Sequence, residues 1–428
     1  MPHILLIGTL DTKLEEFVYL HSQLFKLSID APTPLQVTLI DCGRLPTQHE
    51  AITITWPQLV QKYGPGGDFN FGTSPRGDII KHMIHCTTNC VKQILQTTPV
   101  HGILSAGGTG GTSLVSAVMR EVAPLGMPKL IVSTVASGDT GPVVGETDIT
   151  MMYSVVDIAG SNAMLRNVLG NTAGAMFGMS TAYEKRLLSE NQLENKGQQK
   201  LRVGITMFGV TTPCVDKIRE HLTKKYQVEV FVFHATGHGG KAMERMIVEG
   251  KLDAVLDVTT TEICDHLMGG NMSAGPTRLE AALKRGIPNI ISVGATDMVN
   301  FGLKSMVPEK YQGRKLFEHN PTVTLMRTTE EECRMVGDFM MEKIKEHAKV
   351  TENVEVWIPR GGVSLIAVPG QVFEDDDADW VLSETIKAGL KGTGVRIVED
   401  EREINDASFA VAMAESLMRL CGKEKLEI

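Results

Sequence analysis

Short, wholly apolar runs that end in small-residue turns and lead into amphipathic stretches recur along this chain. That alternation limits its fold more than any other feature. Ile4–Ile7 ends at Gly8-Thr9 and precedes helical periodicity over Thr12–Leu27, and Val37–Ile40 forms the next run. A helix over Ile79–Gln96 leads to the run Gly102–Ser105, the loop Gly107–Gly111 and a further helix to about Glu121. The run Lys129–Val132 then ends in Ser133–Gly138. Strands that are continuously apolar are buried on both faces, the condition of a parallel sheet covered by helices on each side.

The pattern restarts after a charged, Gln- and Asn-rich stretch, Glu184–Lys200, which reads as a linker. Beyond it, Arg202–Met207, Glu229–Phe233, Ala254–Asp257, Asn289–Val293, Val354–Ile358 and Gly394–Val398 read as strands, with a helix over Pro213–Lys224 and another over Lys241–Glu249. Gly102–Ser137 is loosely echoed by Asp253–Thr296, as expected of a duplicated unit. At 428 residues the chain fits about two domains. The expectation is an α/β protein with two Rossmann-like parallel-sheet subdomains in tandem, residues 1–183 and 201–428, joined by 184–200. Arg44–Asp78 interrupts the periodicity and holds Trp56, Phe69 and Phe71 in a chain with only 5% aromatic residues. Aromatics left in water favour interfaces, so this excursion is expected to contribute to a homodimer.

Charge excludes some partners. The net charge is −9 and basic residues are not clustered, so no groove for nucleic acid is expected. Seven scattered cysteines form no CxxC pair, which suggests neither a zinc ribbon nor a redox couple. The first residues read directly as a strand rather than a signal peptide, and no apolar run approaches the roughly 18–20 residues that span a bilayer. The expected setting is cytoplasmic, with no membrane partner.

In open parallel sheets, ligands bind beyond the carboxyl ends of the strands, and the unusual loops fall there. Gly107-Gly108-Thr109-Gly110-Gly111-Thr112-Ser113 leaves a strand and opens a helix, with more glycine than a tight turn requires. Glycine permits positive φ and close approach, so that successive N–H groups face phosphate oxygens. The helix dipole and the hydroxyls of Thr109, Thr112 and Ser113 add to the attraction. The loop is neither a Walker loop nor a GxGxxG fingerprint. At the end of the first strand, Gly8 and Thr9 precede Asp11, Thr12 and Lys13. Lys13 supplies a cation, while Asp11 or Thr12 either caps a helix or stands near a metal or ribose. Ser137 and Gly138 form a third wall, and Asp157 is either a cap or a ligand contact.

In the second half, His234 and His238 have metal spacing only if helical, and Gly237, Gly239 and Gly240 argue against a helix. No metal site is therefore expected there, and a phosphate or carboxylate contact by a loop histidine is favoured. Glu262, Asp265 and His266 lie at a helix start, where acidic groups suit the dipole. Arg360 has the fork that binds carboxylate or phosphate, against a plain turn. Asp297 is a general base or a helix cap. The catalytic candidates are thus His238, Asp297 and Arg360. No nucleophile elbow, HExxH or kinase signature assigns a reaction.

Taken together, Ile7-Gly8-Thr9 with Asp11-Thr12-Lys13, the Gly107–Ser113 loop, Ile131–Gly138, Val155–Ile158, Gly237–Gly240 and Pro359–Ser364 resemble the family of the tomato mosaic virus replication inhibitor, over essentially the whole chain. The resemblance implies two Rossmann-like subdomains, a dimer, and ATP with Mg2+ held by the first subdomain's loops. It also implies that the plant member's barrel-like carboxy-terminal region would here be a separate protein. That plant member blocks viral RNA replication by binding a helicase domain, and no surface for this is visible in the sequence. The nucleotide or phosphorylated ligand is common to three readings: an ATP-binding protein, a metabolic enzyme acting on a phosphorylated or carboxylated molecule with a partner, and an ATP-stabilised protein-interaction module.

Overall fold

The computed structural model describes residues 1–30, 34–67, 69–194 and 199–426. The chain forms two compact units, 1–198 and 199–428. In the first, β1 (His3–Gly8), α1 (Leu10–Asp30), β2 (Gln36–Asp41), α2 (Trp56–Tyr63), α3 (Arg76–Thr97), β3 (Gly102–Gly107) and α4 (Thr109–Val122) follow one another. They are succeeded by β4 (Lys129–Ser133), the short α5 (Gly141–Val144), β5 (Thr150–Tyr153) and α6 (Ala163–Glu194). The sheet order is β2-β1-β3-β4-β5, and every pairing is parallel.

Alternation along each strand supplies both faces of this sheet. Leu5, Ile7, Ile103 and Ile131 pack under α3 and α4. Ile4, Leu6, Leu104, Leu130 and Val132 pack under α1 and α6, against Phe17, Leu20, Leu165 and Leu169. Burial on both sides is why these strands read as unbroken apolar runs.

The second unit contains β6 (Leu201–Met207), α7 (Thr212–Lys225), β7 (Val228–His234), α8 (His238–Val248), β8 (Ala254–Thr259), α9 (Thr261–Met268), α10 (Glu280–Arg285) and β9 (Asn289–Gly294). After these come β10 (Met298–Phe301), β11 (Leu316–Asn320), β12 (Val323–Arg327), α11 (Glu330–His347), β13 (Val354–Pro359), α12 (Asp376–Leu390), β14 (Arg396–Asp400) and α13 (Ala407–Leu420). Its main sheet runs β14-β13-β9-β8-β6-β7, again all parallel. In both units the first strand lies between the second and the third, and the later strands add on the third strand's side. This shared winding matches the internal echo. Sequence reading missed a small antiparallel sheet, β10-β12-β11, inserted before α11.

Three readings change. The stretch taken as a linker is helical up to Glu194 as the end of α6, and residues 195–198 lie outside the described residues. The Arg44–Asp78 excursion contains α2, and its aromatics are half-buried rather than free. Trp56 and Phe69 each meet Phe71 at 4.8 Å between ring centroids, and Phe69 stacks on His82 at 4.1 Å. Trp56 also donates its indole N–H to the Gly43 carbonyl at 3.0 Å. These rings serve their own unit's core, so they give no reason for a dimer. Finally, α8 begins at His238, so Gly239 and Gly240 are helical rather than loop residues. Among the described residues no helix is long and apolar enough to cross a membrane.

Candidate functional site

The strand order locates a crevice. Chain connections leave β1 toward β2 and later return on the other side to β3, so the loops after β1 and β3 diverge. That divergence is where doubly wound sheets bind ligands. The loop after β1 is Gly8-Thr9, and the loop after β3 is Gly107-Gly108. Two adjoining cavities, of about 320 and 590 Å³, open there and share Thr9, Thr12, Arg76, Ile80, Gly110 and Gly111. The smaller adds Asp11, Arg44 and an apolar wall of Ile79, Met83 and Leu114. The larger adds Lys13, Gly108, Thr109 and Ser113.

At this crevice α4 starts from Gly108 in extended conformation, with no side chain capping it. The N–H groups of Thr109, Gly110 and Gly111 find no acceptor among the described residues; the next, on Thr112, bonds the Gly108 carbonyl at 2.9 Å. Orphan donors at a helix start, with the positive end of the dipole behind them, attract anions. Arg76, the first residue of α3, brings its guanidinium close: a Cβ added at Gly110 would stand 3.0 Å from Nη2. Arg76 has no ion-pair partner among the described residues.

The predicted site residues divide into two groups. Thr9, Asp11, Thr12, Lys13, Gly108, Thr109, Gly110, Gly111 and Ser113 line the cavities. Gly8, Gly107, Thr112, Ser137 and Gly138 line neither. Gly8 is glycine because the Phe17 ring fills the place of a Cβ, 2.2 Å away. Thr112 is buried, its hydroxyl 2.6 Å from that of Ser133. None of the glycines in the Gly107–Gly111 loop has positive φ; their use is close approach, since Gly107 packs on Gly111. Ser137 and Gly138 sit in an exposed turn after β4, and Asp157 is exposed and caps no helix. The Lys13 ammonium bonds the Ile158 carbonyl, and Glu16 accepts from the Gly160 N–H at 2.8 Å, so α1 fastens the loop after β5.

Sequence reading missed Arg76, Arg44 and Asp41. Asp11 accepts from the Arg44 N–H at 3.0 Å and lies against Gly43, where a Cβ would meet its Oδ1 at 2.5 Å. Asp41, fully buried at the end of β2, accepts from the Leu10 and Gly43 N–H groups. Burial, helped by the charge of Asp11, pushes its carboxyl up to about 6. A single arginine outside any motif carries no signal in one sequence; only the packing of α3 beside α4 brings Arg76 in.

The second unit treats its helix starts differently. The Gly237 and Gly240 N–H groups at the start of α8 donate to Glu262 Oε1 at 2.7 and 3.0 Å. A Cβ at Gly240 would fall 2.0 Å from Glu262 Oε2, so this glycine makes room for the protein's own carboxylate. Glu262 belongs to a buried network around Arg278, which is 1% exposed. Arg278 donates to both oxygens of Asp257 at 2.5 and 2.6 Å and to Glu262 at 2.8 Å, with Glu244 at 3.5 Å. Burial pushes Glu244 up to about 7, against the pull of Arg278. Glu262, buried in the first turn of α9 as the dipole favours, thus also fills the start of α8 from within the protein, and Asp265 likewise is buried, accepting from Asn300 Nδ2 at 2.7 Å.

The catalytic candidates do not gather. His238 is exposed at the start of α8. Asp297 is fully buried; Oδ2 accepts from Ser364 at 2.8 Å, Oδ1 has no partner, and burial pushes the carboxyl up to about 7. Arg360 is half-buried, 3.5 Å from Glu399. It lines a separate cavity of about 300 Å³ at the ends of β9 and β13. Among the described residues no group of three or more His, Cys, Asp or Glu side chains is placed to hold a metal.

Comparison with known proteins finds two family descriptions. The N-terminal domain of Uncharacterised protein family (UPF0261) matches residues 2–185, and its C-terminal domain matches residues 200–421. A UPF0261 protein of Clostridium tetani is 42% identical, over 98% of this chain and 99% of its own length. Another, from Mesorhizobium japonicum, is 40% identical over 97% and 98%. The ToMV resistance protein Tm-1 of Solanum lycopersicum is 36% identical over 99% of this chain, which spans 56% of the tomato protein.

Proposed function

The chain belongs to the UPF0261 family, and on that premise we propose that its first unit is an ATP-binding module, with the triphosphate at the start of α4. One observation carries the reading: N–H groups of Thr109, Gly110 and Gly111, uncapped among the described residues, line a cavity at the sheet's switch point beside Arg76, which has no ion-pair partner among them. Elsewhere the same chain fills a glycine-rich helix start with Glu262. A helix start left open to a cavity is free to take an anion from outside. Thr9 and Ser113 add hydroxyl donors, and the apolar wall of Ile79, Ile80, Met83 and Leu114 suits the face of a base. Magnesium fits as a companion of the phosphates: Asp11 offers one carboxylate, and this ion is commonly held by one or two carboxylates, phosphates and water. The cytoplasmic, homodimeric form implied by the family resemblance completes the proposal.

Calorimetric titration of the whole chain with ATP and Mg2+ tests it. The wild type gives a saturable heat, and Arg76→Ala weakens binding about 10- to 100-fold, the loss of one charge-assisted hydrogen bond of about 1.5–3 kcal/mol. No saturable heat, or an affinity indifferent to Arg76, sinks the reading. Steady-state ATP consumption then separates an enzyme from an ATP-stabilised interaction module.

A further inference from the structure

We propose that the cavity at the carboxyl ends of β9 and β13 is a second ligand site, which takes a neutral polyhydroxylated molecule the size of one sugar ring. This goes beyond the ATP reading and does not depend on it. The cavity, about 300 Å³, stands at the small end of ligand pockets, which run from about 300 to 1,000 Å³. A single sugar ring fits within it.

Its lining mixes one aromatic face with acceptors and donors. Trp380, 53% exposed although it is a large aromatic, lines the cavity from the first turns of α12. Its other polar lining residues are the acceptors Asp376, Asp379 and Glu401 and the donors Arg360 and Ser383. Asp379 is held in place from behind. Arg327, 3% exposed, donates to it at 2.7 Å and is itself fixed by the Phe373 and Asp375 carbonyls at 2.8 and 3.1 Å. An acceptor locked this way costs little to order when a ligand arrives.

The chemistry of the set selects the ligand. Carboxylates only accept and a guanidinium only donates, whereas a hydroxyl does both, so a ring bearing several hydroxyls satisfies the whole lining. The C–H face of such a ring suits the indole of Trp380. A phosphate or carboxylate would face three carboxylates and one arginine. An organic ammonium would leave Arg360 without a partner on the ligand. A metal ion is disfavoured because these carboxylates are not grouped as ligands.

The test is titration of the whole chain with D-glucose, D-xylose, D-ribose and myo-inositol, read by tryptophan fluorescence and calorimetry. Concentrations run to about 50 mM, well above the ~1 mM dissociation constant of a weak small ligand. At least one compound is expected to saturate, with binding weakened about tenfold or more by Trp380→Ala and by Glu401→Gln. Both side chains are exposed, so the urea midpoint and the ATP titration should not move. Four flat titrations, binding indifferent to both variants, or a stronger response to choline or inorganic phosphate than to any of the four would overturn the proposal.

Discussion

Valine in place of Gly110 is expected to weaken nucleotide binding while leaving folding stability nearly unchanged. Gly110 is the second residue of α4 and its φ is not positive, so the backbone accepts an L side chain. Valine is favoured over glycine within a helix by about 0.3 kcal/mol. The new Cβ would stand 3.0 Å from Arg76 Nη2 and 3.7 Å from Ile80 Cδ1. Arg76 is exposed and flexible, so its guanidinium can retreat by a few tenths of an ångström. Stability should therefore stay within about 0.5 kcal/mol of the wild type, the usual range for a surface change. A bound phosphate has no such freedom. The valine methyls would cover the N–H groups at the start of α4 and push Arg76 from the same space. Losing one charge-assisted hydrogen bond, about 1.5–3 kcal/mol, weakens ATP binding about 10- to 100-fold. Calorimetry with ATP and urea denaturation on one preparation read both quantities. Unchanged affinity in a folded variant would falsify the assignment, and a parallel fall in both would mean that Gly110 serves packing.

Two further outcomes follow from the second unit. Arg278→Met strands Asp257, Glu262 and Glu244 in the core and should cost about 3–5 kcal/mol by urea denaturation, as breaking a buried ion pair does; a loss below about 1 kcal/mol would show that the network contributes little. Asp297 keeps its proton in the folded state up to about pH 7, whereas in an unfolded chain an aspartate loses it near pH 4. The folded state therefore binds more protons across that window, and its stability falls as pH rises, by up to about 1.4 kcal/mol per pH unit. Asp297→Asn should remove this share of the slope, and an unchanged slope between the two pH values would rule out the protonated carboxyl.

The parallel sheets were legible because Ile4–Ile7, Gly102–Ser105 and Asn289–Val293 are buried on both faces, and burial on both faces leaves its mark in sequence as an unbroken apolar run. The β10-β12-β11 sheet was not: β11, Leu316–Asn320, is largely exposed and mixed in polarity, so no period marks it. Glycine loops were easier to find than to interpret. Gly110 and Gly240 look alike in sequence, but one borders an open cavity and the other makes room for Glu262, which lies 22 positions further along the chain. Whether a helix start is open or filled depends on a side chain from another element. The same holds for Arg76, brought to the cavity by the packing of α3 beside α4, and for Arg327 at the end of β12, whose partner Asp379 lies on α12.

Crystals grown with ATP and Mg2+ give the most direct test of the central claim. Triphosphate density is expected within hydrogen-bond distance, about 2.7–3.2 Å, of the Thr109, Gly110 and Gly111 N–H groups, with the Arg76 guanidinium on a phosphate oxygen. Density for the nucleotide elsewhere on the chain, or an α4 start that stays free of phosphate at saturating ATP, would contradict it.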